Sequence, residues 1–144
     1  MKLRIDNDLM IDDFFLDTRL LGIVAPIKPY QFCWHLNQML SFDFRINNEI
    51  EIRLTKKQRN YFFSIYEYSE QSGTIKHFLY HNQFDGEYLL PEFKHLDFLW
   101  LIKDDIMNNE DVNNLVGSIR SLPVVQLITE MTDEKIKNKQ HLIF

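Results

Sequence analysis

Residues that break or crosslink secondary structure are scarce in this chain. Its 144 residues include four glycines, four prolines and one cysteine, Cys33. With no low-complexity tract, this scarcity argues against linkers and disorder, so we expect a single domain over residues 1–144. A lone cysteine cannot form an internal disulfide, and the sequence has neither a leader-like start nor an apolar run of transmembrane length. We therefore expect a cytoplasmic protein without a membrane partner.

The familiar catalytic loops are also missing. The chain contains no G-x-S-x-G, G-x-x-x-x-G-K-S/T or G-x-G-x-x-G motif. Cys33 falls within an apolar helical stripe, where a thiol is usually inert. We therefore assign no catalytic residue and no cofactor from the sequence, and these absences favour a non-catalytic protein.

The charge of the chain is unfavourable for nucleic acid. The formal net charge is -5, which repels phosphate backbones in general. One basic cluster, next to Tyr61, could bind single-stranded nucleic acid. Four positive charges on one turn are weak support for such binding on an acidic protein. The cluster comprises Arg53, Lys56, Lys57 and Arg59. We predict no nucleic-acid partner, and we interpret the acidic patch of Asp104, Asp105, Glu110 and Asp111 as solvated turns.

The most apolar stretch is residues 98–102, which read FLWLI. Five consecutive apolar positions predict a central strand that is buried on both faces. Residues 20–25 predict another buried strand, which Pro26 ends.

Residues 50–54 alternate apolar and charged side chains, which is typical of a half-solvated strand. Residues 42–46 alternate in the same way, so we predict a hairpin turn at Asn47 and Asn48. Residues 61–68 and 75–82 predict two further strands, joined by a turn at Ser72 and Gly73.

Two segments have helical periodicity. Pro29 is suited to the first position of a helix whose apolar stripe is Phe32, Cys33, Leu36, Met39 and Leu40. We expect Cys33 to be buried against the sheet, and we expect Tyr30 and Trp34, which flank the stripe, to pack in the core rather than to hold a cofactor.

The second helix begins near Asn109, with Glu110 and Asp111 in its first turn, and Pro123 ends it. Residues 124–128 predict a last strand. Residues 132–140 predict a short helix within a C-terminal appendage, residues 132–144, and we expect Leu142, Ile143 and Phe144 to attach its end to the body of the domain.

These elements predict an α+β fold: a mixed, largely antiparallel sheet with two main helices packed on one face. The other face of the sheet would be open in a monomer. Its aromatic load makes exposure unfavourable, so we expect a homodimer, with Tyr66 among the outward aromatic side chains.

Pro91, Glu92, His95 and Asp97, here the 91–97 cluster, form the main candidate site. An acid, a base and an orienting carboxylate could work together there. The alternative is structural, with Glu92 accepting backbone amides in the turn and Asp97 capping the strand entry. His77 and His81 have the spacing of zinc ligands on a helix, but on a strand they lie about 13 Å apart, so we predict no metal site.

Residues 90–98, LPEFKHLDF, resemble the signature of the IPExxxVDY family, small proteins named for that pattern. Pro91, Glu92 and Asp97 are identical to the signature, while Phe98 replaces a tyrosine and so lacks its hydroxyl. The resemblance implies a fold and a soluble protein, and it supplies no reaction.

Two functions therefore remain open. The first is a non-catalytic interaction or scaffolding protein with an unidentified protein partner. The second is a small-molecule-binding protein or enzyme built on Glu92, His95 and Asp97, with Arg19 or Arg45 as an anion anchor. A concave cavity holding the three side chains of the cluster would favour the second.

Overall fold

The computed structural model describes residues 2–71, 73–104 and 107–144. The helices are α1 (Lys2–Phe15), α2 (Pro29–Leu40) and α3 (Asn109–Arg120). The strands are β1 (Thr18–Val24), β2 (Arg45–Lys56), β3 (Arg59–Ser69), β4 (Lys76–His81), β5 (Gln83–Phe84), β6 (Glu87–Tyr88), β7 (Phe98–Lys103) and β8 (Leu127–Met131). Short 3-10 helices span Pro91–Phe93, Asp133–Lys135 and Lys139–Leu142.

Six of these strands form one sheet in the order β2-β3-β4-β7-β1-β8. The α+β class is confirmed, and the pairings between the described strands are antiparallel throughout, where we predicted a mixed, largely antiparallel sheet. Strand β7 lies inside the sheet, with Trp100 opposite Leu21 on β1 and Leu79 on β4. The first five residues of β7 are buried, as the apolar run predicted.

The helices α2 and α3 pack on one face of the sheet, as predicted. Phe32 and Leu36 of α2 share a buried cluster with Val112 and Ile119 of α3 and with Trp100 of β7. Asn108 and Asp111 cap the N-terminus of α3. The side-chain oxygen of Asn108 accepts the backbone amide of Asp111, and the carboxylate of Asp111 accepts the backbone amide of Asn108.

The opposite face is covered, so the expectation of an open face was wrong. Ile65, Tyr80 and Leu99 on this face are fully buried. The cover consists of Leu89, Leu90, Leu96 and Leu142, with Phe14 and Phe15 from the end of α1. Tyr66 lies on the helix-bearing side and is partly buried, so it is not an outward aromatic of this face.

The C-terminal segment belongs to this second core. Leu142 is fully buried, and its carbonyl accepts a hydrogen bond of 2.8 Å from the hydroxyl of Tyr80. The two 3-10 helices Asp133–Lys135 and Lys139–Leu142 replace the single helix predicted over residues 132–140. Strand β8 also begins later than predicted, because the Val125 amide first closes a turn on the Leu122 carbonyl after Pro123.

The hairpin predicted at Asn47 and Asn48 was wrong. Strand β2 continues through these residues, and a bulge lies between Ile46 and Glu51. The Asn47 side chain satisfies this bulge, since it accepts the Glu49 amide and donates to Glu67. The turn occurs instead at Lys57 and Gln58, both with positive φ, between the paired residues Lys56 and Arg59.

Gly22 on β1 marks a close approach between β1 and the segment that covers the sheet. A Cβ atom at this position would lie 2.6 Å from a methyl group of Leu96. In the turn predicted at Ser72 and Gly73, Gly73 has a positive φ of 77°, and Ser72 lies outside the described residues. Asp105, part of the predicted acidic patch, also lies outside them.

Candidate functional site

The 91–97 cluster lies in the segment that connects β6 to β7. Pro91 begins a 3-10 helix, where its fixed φ is favourable and its missing amide hydrogen costs nothing. Leu89, Leu90 and Leu96 around it are buried in the second core. The segment is therefore held by apolar packing on the sheet as well as by its polar contacts.

Asn82, which we did not single out from the sequence, organises this segment. It is fully buried, and its side chain accepts the Leu90 amide and donates to the carbonyls of Phe93 and Leu96, at 2.9 to 3.0 Å. Its own backbone also bonds to Leu89 and Asp97. A single asparagine after a strand carries no pattern that predicts such a role.

Glu92 binds the C-terminal segment. Its carboxylate accepts the backbone amides of Lys137 and Asn138 at 2.6 and 2.8 Å, and the side-chain amide of Asn138 at 2.8 Å. Partial burial acts to raise the pKa of Glu92, but these hydrogen bonds outweigh it and leave the pKa below its ordinary value. The carboxylate is thus ionised and already saturated with donors from the protein.

Asp97 holds the end of β1. Its carboxylate accepts the Ala25 amide at 2.8 Å, and its own amide donates to the Ile23 carbonyl at 2.8 Å. These bonds extend the pairing of β1 and β7 by one step, at the point where Pro26 can no longer donate. Asp97 therefore caps the entry to β7, as the structural alternative predicted.

His95 does not meet the two carboxylates. Its side chain is exposed and lies beside the Phe93 ring, with 6.2 Å between the ring centroids. The hollow that His95 lines, of about 150 Å³, is bounded by neither Glu92 nor Asp97. The arrangement thus lacks the shared cavity that an acid, a base and an orienting carboxylate require.

The candidate anion anchors are engaged as well. Arg19 forms a bidentate ion pair with Glu130 on the neighbouring strand β8. Arg45 pairs with Asp43 at 3.0 Å on the surface. In the basic cluster, Lys56 pairs with Glu87 at 3.0 Å and Arg59 pairs with Asp85, so the hairpin of β5 and β6 neutralises part of it.

His77 and His81 lie on β4, as the strand prediction requires. His77 is buried, and its Nδ1 accepts a 3.0 Å hydrogen bond from the indole nitrogen of Trp100. Its Nε2 has no hydrogen-bond partner among the described residues, and an oxygen of the Glu70 carboxylate lies 4.0 Å away. Burial lowers the pKa of His77 to about 4, so the ring is neutral at physiological pH.

Cys33 is buried under α2, as predicted. Burial raises the pKa of its thiol to about 12, so the reactive thiolate is not populated near neutral pH.

The outer side of α2 is the unexpected feature of the surface. Tyr30 and Trp34 do not pack in the core as predicted, since 63% and 56% of their surface is exposed. Met39, which we placed in the apolar stripe, is also 60% exposed, so the buried part of the stripe is Phe32, Cys33 and Leu36. An open hollow of about 330 Å³ lies on this side, and we call its lining the α2 face: Ile27, Tyr30, Gln31, Trp34 and His35. The sequence prediction failed because Tyr30 and Trp34 are one helical turn apart and lie just outside the buried stripe.

None of the twelve residues of α2 is Asp, Glu, Lys or Arg. The outer side of a helix that meets only water usually carries such charges. The α2 face thus combines large exposed rings, a concave surface and a lack of charge.

The fold and its surface define an α+β protein with a covered sheet and an apolar face on α2. In the described residues, no helix is both long and apolar enough to cross a membrane. No family model matches the chain, and no curated protein sequence matches it. The resemblance to the IPExxxVDY family stays a prediction.

Proposed function

We propose that this protein is a non-catalytic interaction or scaffolding protein that binds a protein partner through the α2 face. The observation that carries the proposal is the exposure of Tyr30 and Trp34 on a helix without charged residues. The cores of protein interfaces are depleted of charge and enriched in tryptophan, tyrosine and methionine. Tryptophan and tyrosine also dominate the residues that contribute most to binding free energy.

The packing of α2 does not require these rings. Phe32, Cys33 and Leu36 already attach the helix to the sheet. A serine or lysine in place of Trp34 would leave those contacts in place and would remove apolar surface from water. The cost of exposing the indole therefore needs another explanation, and a binding surface provides it.

A protein partner fits this surface better than nucleic acid does. The net charge is -5 and the α2 face offers no cation to a phosphate. The cytoplasmic location stays part of the proposal, and a single buried thiol is compatible with it.

The enzyme hypothesis has less support. Glu92 and Asp97 accept backbone amides from distant parts of the chain, and His95 lies apart from them. A substrate at Glu92 would have to displace Lys137 and Asn138 from the carboxylate. The 91–97 cluster is better explained as a set of ties that close the fold.

The test is affinity capture from the protein's own cytoplasm. Tagged wild-type protein and a Trp34→Lys variant are compared, because a lysine at this position places a charge on the α2 face without touching the buried side of the helix. Leu127→Lys, at an exposed position on β8, is the matched control. We expect wild type and the control to retain the same partner and Trp34→Lys to lose it. Equal capture by all three would exclude the α2 face as the binding surface.

A further inference from the structure

We infer that the partner of the α2 face is a second copy of this chain, in a two-fold symmetric contact. This inference rests on the proposed function, since it names the partner of the same surface. It also replaces the dimer expected from the opposite sheet face, which Leu89, Leu90, Leu96 and Leu142 cover.

Charge is the first argument. Each copy carries a net charge of -5, so two copies repel each other through most of their surfaces. The α2 helix has no Asp, Glu, Lys or Arg, so two copies that meet there set no such charge of one helix against its like on the other. It equally offers no charge by which a strongly basic or acidic partner would be selected.

Self-complementarity is the second argument. A two-fold interface uses the same surface twice, so that surface must carry both the group that inserts and the space that receives it. The α2 face has both: Trp34 is 56% exposed, and the hollow beside it, of about 330 Å³, is lined by Ile27 and Tyr30. Two α2 helices that cross about a two-fold axis place the Trp34 ring of each copy against the hollow of the other.

The size of the surface sets the expected strength. A helix of 12 residues is about 18 Å long, which gives a contact at the small end of specific interfaces. We therefore expect a reversible dimer whose population rises with concentration.

The first experiment measures mass by sedimentation equilibrium, at chain concentrations up to about 1 mM. Wild type should move from 17.4 kDa towards twice that mass. Trp34→Lys and Tyr30→Lys should stay monomeric, because each puts two ammonium groups into an apolar contact that offers them no counter-charge, while Leu127→Lys should dimerise like wild type. Trp34 and Trp100 are the two tryptophans, so the fluorescence of the buried Trp100 reports whether a Trp34 variant is folded.

The second experiment pairs opposite charges. Trp34→Lys and Trp34→Glu should each be monomeric alone, and an equimolar mixture should form a heterodimer, because one contact then holds one positive and one negative side chain instead of two like charges. A wild type that stays monomeric throughout the range would overturn the inference, as would a dimer that persists in Trp34→Lys. If wild type is monomeric but Trp34→Lys still loses a captured partner, the proposed function stands and only the identity of the partner is wrong.

Discussion

At the scale of single residues, the hydrogen bond between Trp100 and His77 determines which ring nitrogen of His77 carries the proton. The indole nitrogen can only donate, so Nδ1 of His77 must accept and the proton of the neutral ring must lie on Nε2. Protonation of Nδ1 would set two donors against each other. Together with burial, this explains why His77 resists protonation and why its Nε2 has no lone pair for a metal ion.

His77 should make the protein sensitive to acid. The unfolded histidine binds a proton below its ordinary pKa of 6.5, whereas the folded one does so only below about 4. The unfolded state thus binds more protons in this window, so the free energy of unfolding falls as the pH falls from 6.5 to 4, by on the order of 3 kcal/mol.

Urea unfolding between pH 7 and pH 4 checks this expectation. His77→Asn keeps an acceptor near Trp100 and should lose this part of the pH dependence, while the control His95→Asn, at an exposed position, should keep it. Parallel pH profiles for wild type and His77→Asn would show that His77 is not responsible.

Glu92 gives a second prediction. Its pKa is lowered in the folded state, so its stabilising contribution is present above the unfolded value of 4.5 and is lost as the pH falls through the folded one. Glu92→Gln should lower the free energy of unfolding by about 1–3 kcal/mol at pH 7, because it weakens three charge-assisted bonds. The difference from wild type should shrink in acid. Glu134→Gln, nearby and exposed, should change little; a Glu92→Gln variant as stable as wild type would point to a ligand site instead.

The sequence predicted the kind of role that Glu92 and Asp97 have, because carboxylates beside a proline turn commonly accept backbone amides. It could not predict the partners, since Glu92 binds residues 45 and 46 positions further along the chain. Such contacts depend on the tertiary fold and leave no local pattern. The role of Asn82 could not be predicted for the same reason.

At the scale of secondary structure, strong periodicity predicted the elements well. The apolar run at residues 98–102 predicted β7, and the apolar stripes of helical period predicted α2 and α3. The helix α1 was missed because its sequence has no clear apolar stripe: Leu9 and Met10 are both 57% exposed. The hairpin was misplaced because two asparagines look more turn-like than Lys57 and Gln58.

The turn at Lys57 and Gln58 offers a stabilising change. Both residues have positive φ, 51° and 66°, which a two-residue hairpin turn of type I′ requires and which long side chains adopt at a cost. Replacing the pair by Asn-Gly should raise the free energy of unfolding by about 1 kcal/mol. The control is Asn48→Gly, which creates the same Asn-Gly pair at residues 47 and 48. It should give no such gain, because β2 continues through these residues. Thermal unfolding of the two variants compares the positions, and a loss of stability from the first would contradict this assignment of the turn.

At the scale of the whole molecule, the C-terminal segment contributes Leu142 to the core, in line with the expected attachment of residues 142–144 to the body. Leu142 is fully buried, so Leu142→Ala should lower the free energy of unfolding by about 2–5 kcal/mol. Leu127→Ala, at a position that is 49% exposed, should change it by about 0.5 kcal/mol or less. Chemical denaturation distinguishes the two variants. Similar small effects at both positions would contradict a core role for Leu142.

The cover over the second sheet face also has a consequence for synthesis on the ribosome. Residues 139–144, which include Leu142, are translated after all six strands of the sheet. Until they leave the exit tunnel, Tyr80 and Leu89 lack part of their cover, and the nascent chain presents an apolar surface of the kind that chaperones bind. Folding of this face must therefore finish after strand synthesis is complete, and a nascent chain halted before residues 139–144 emerge would keep this apolar surface exposed.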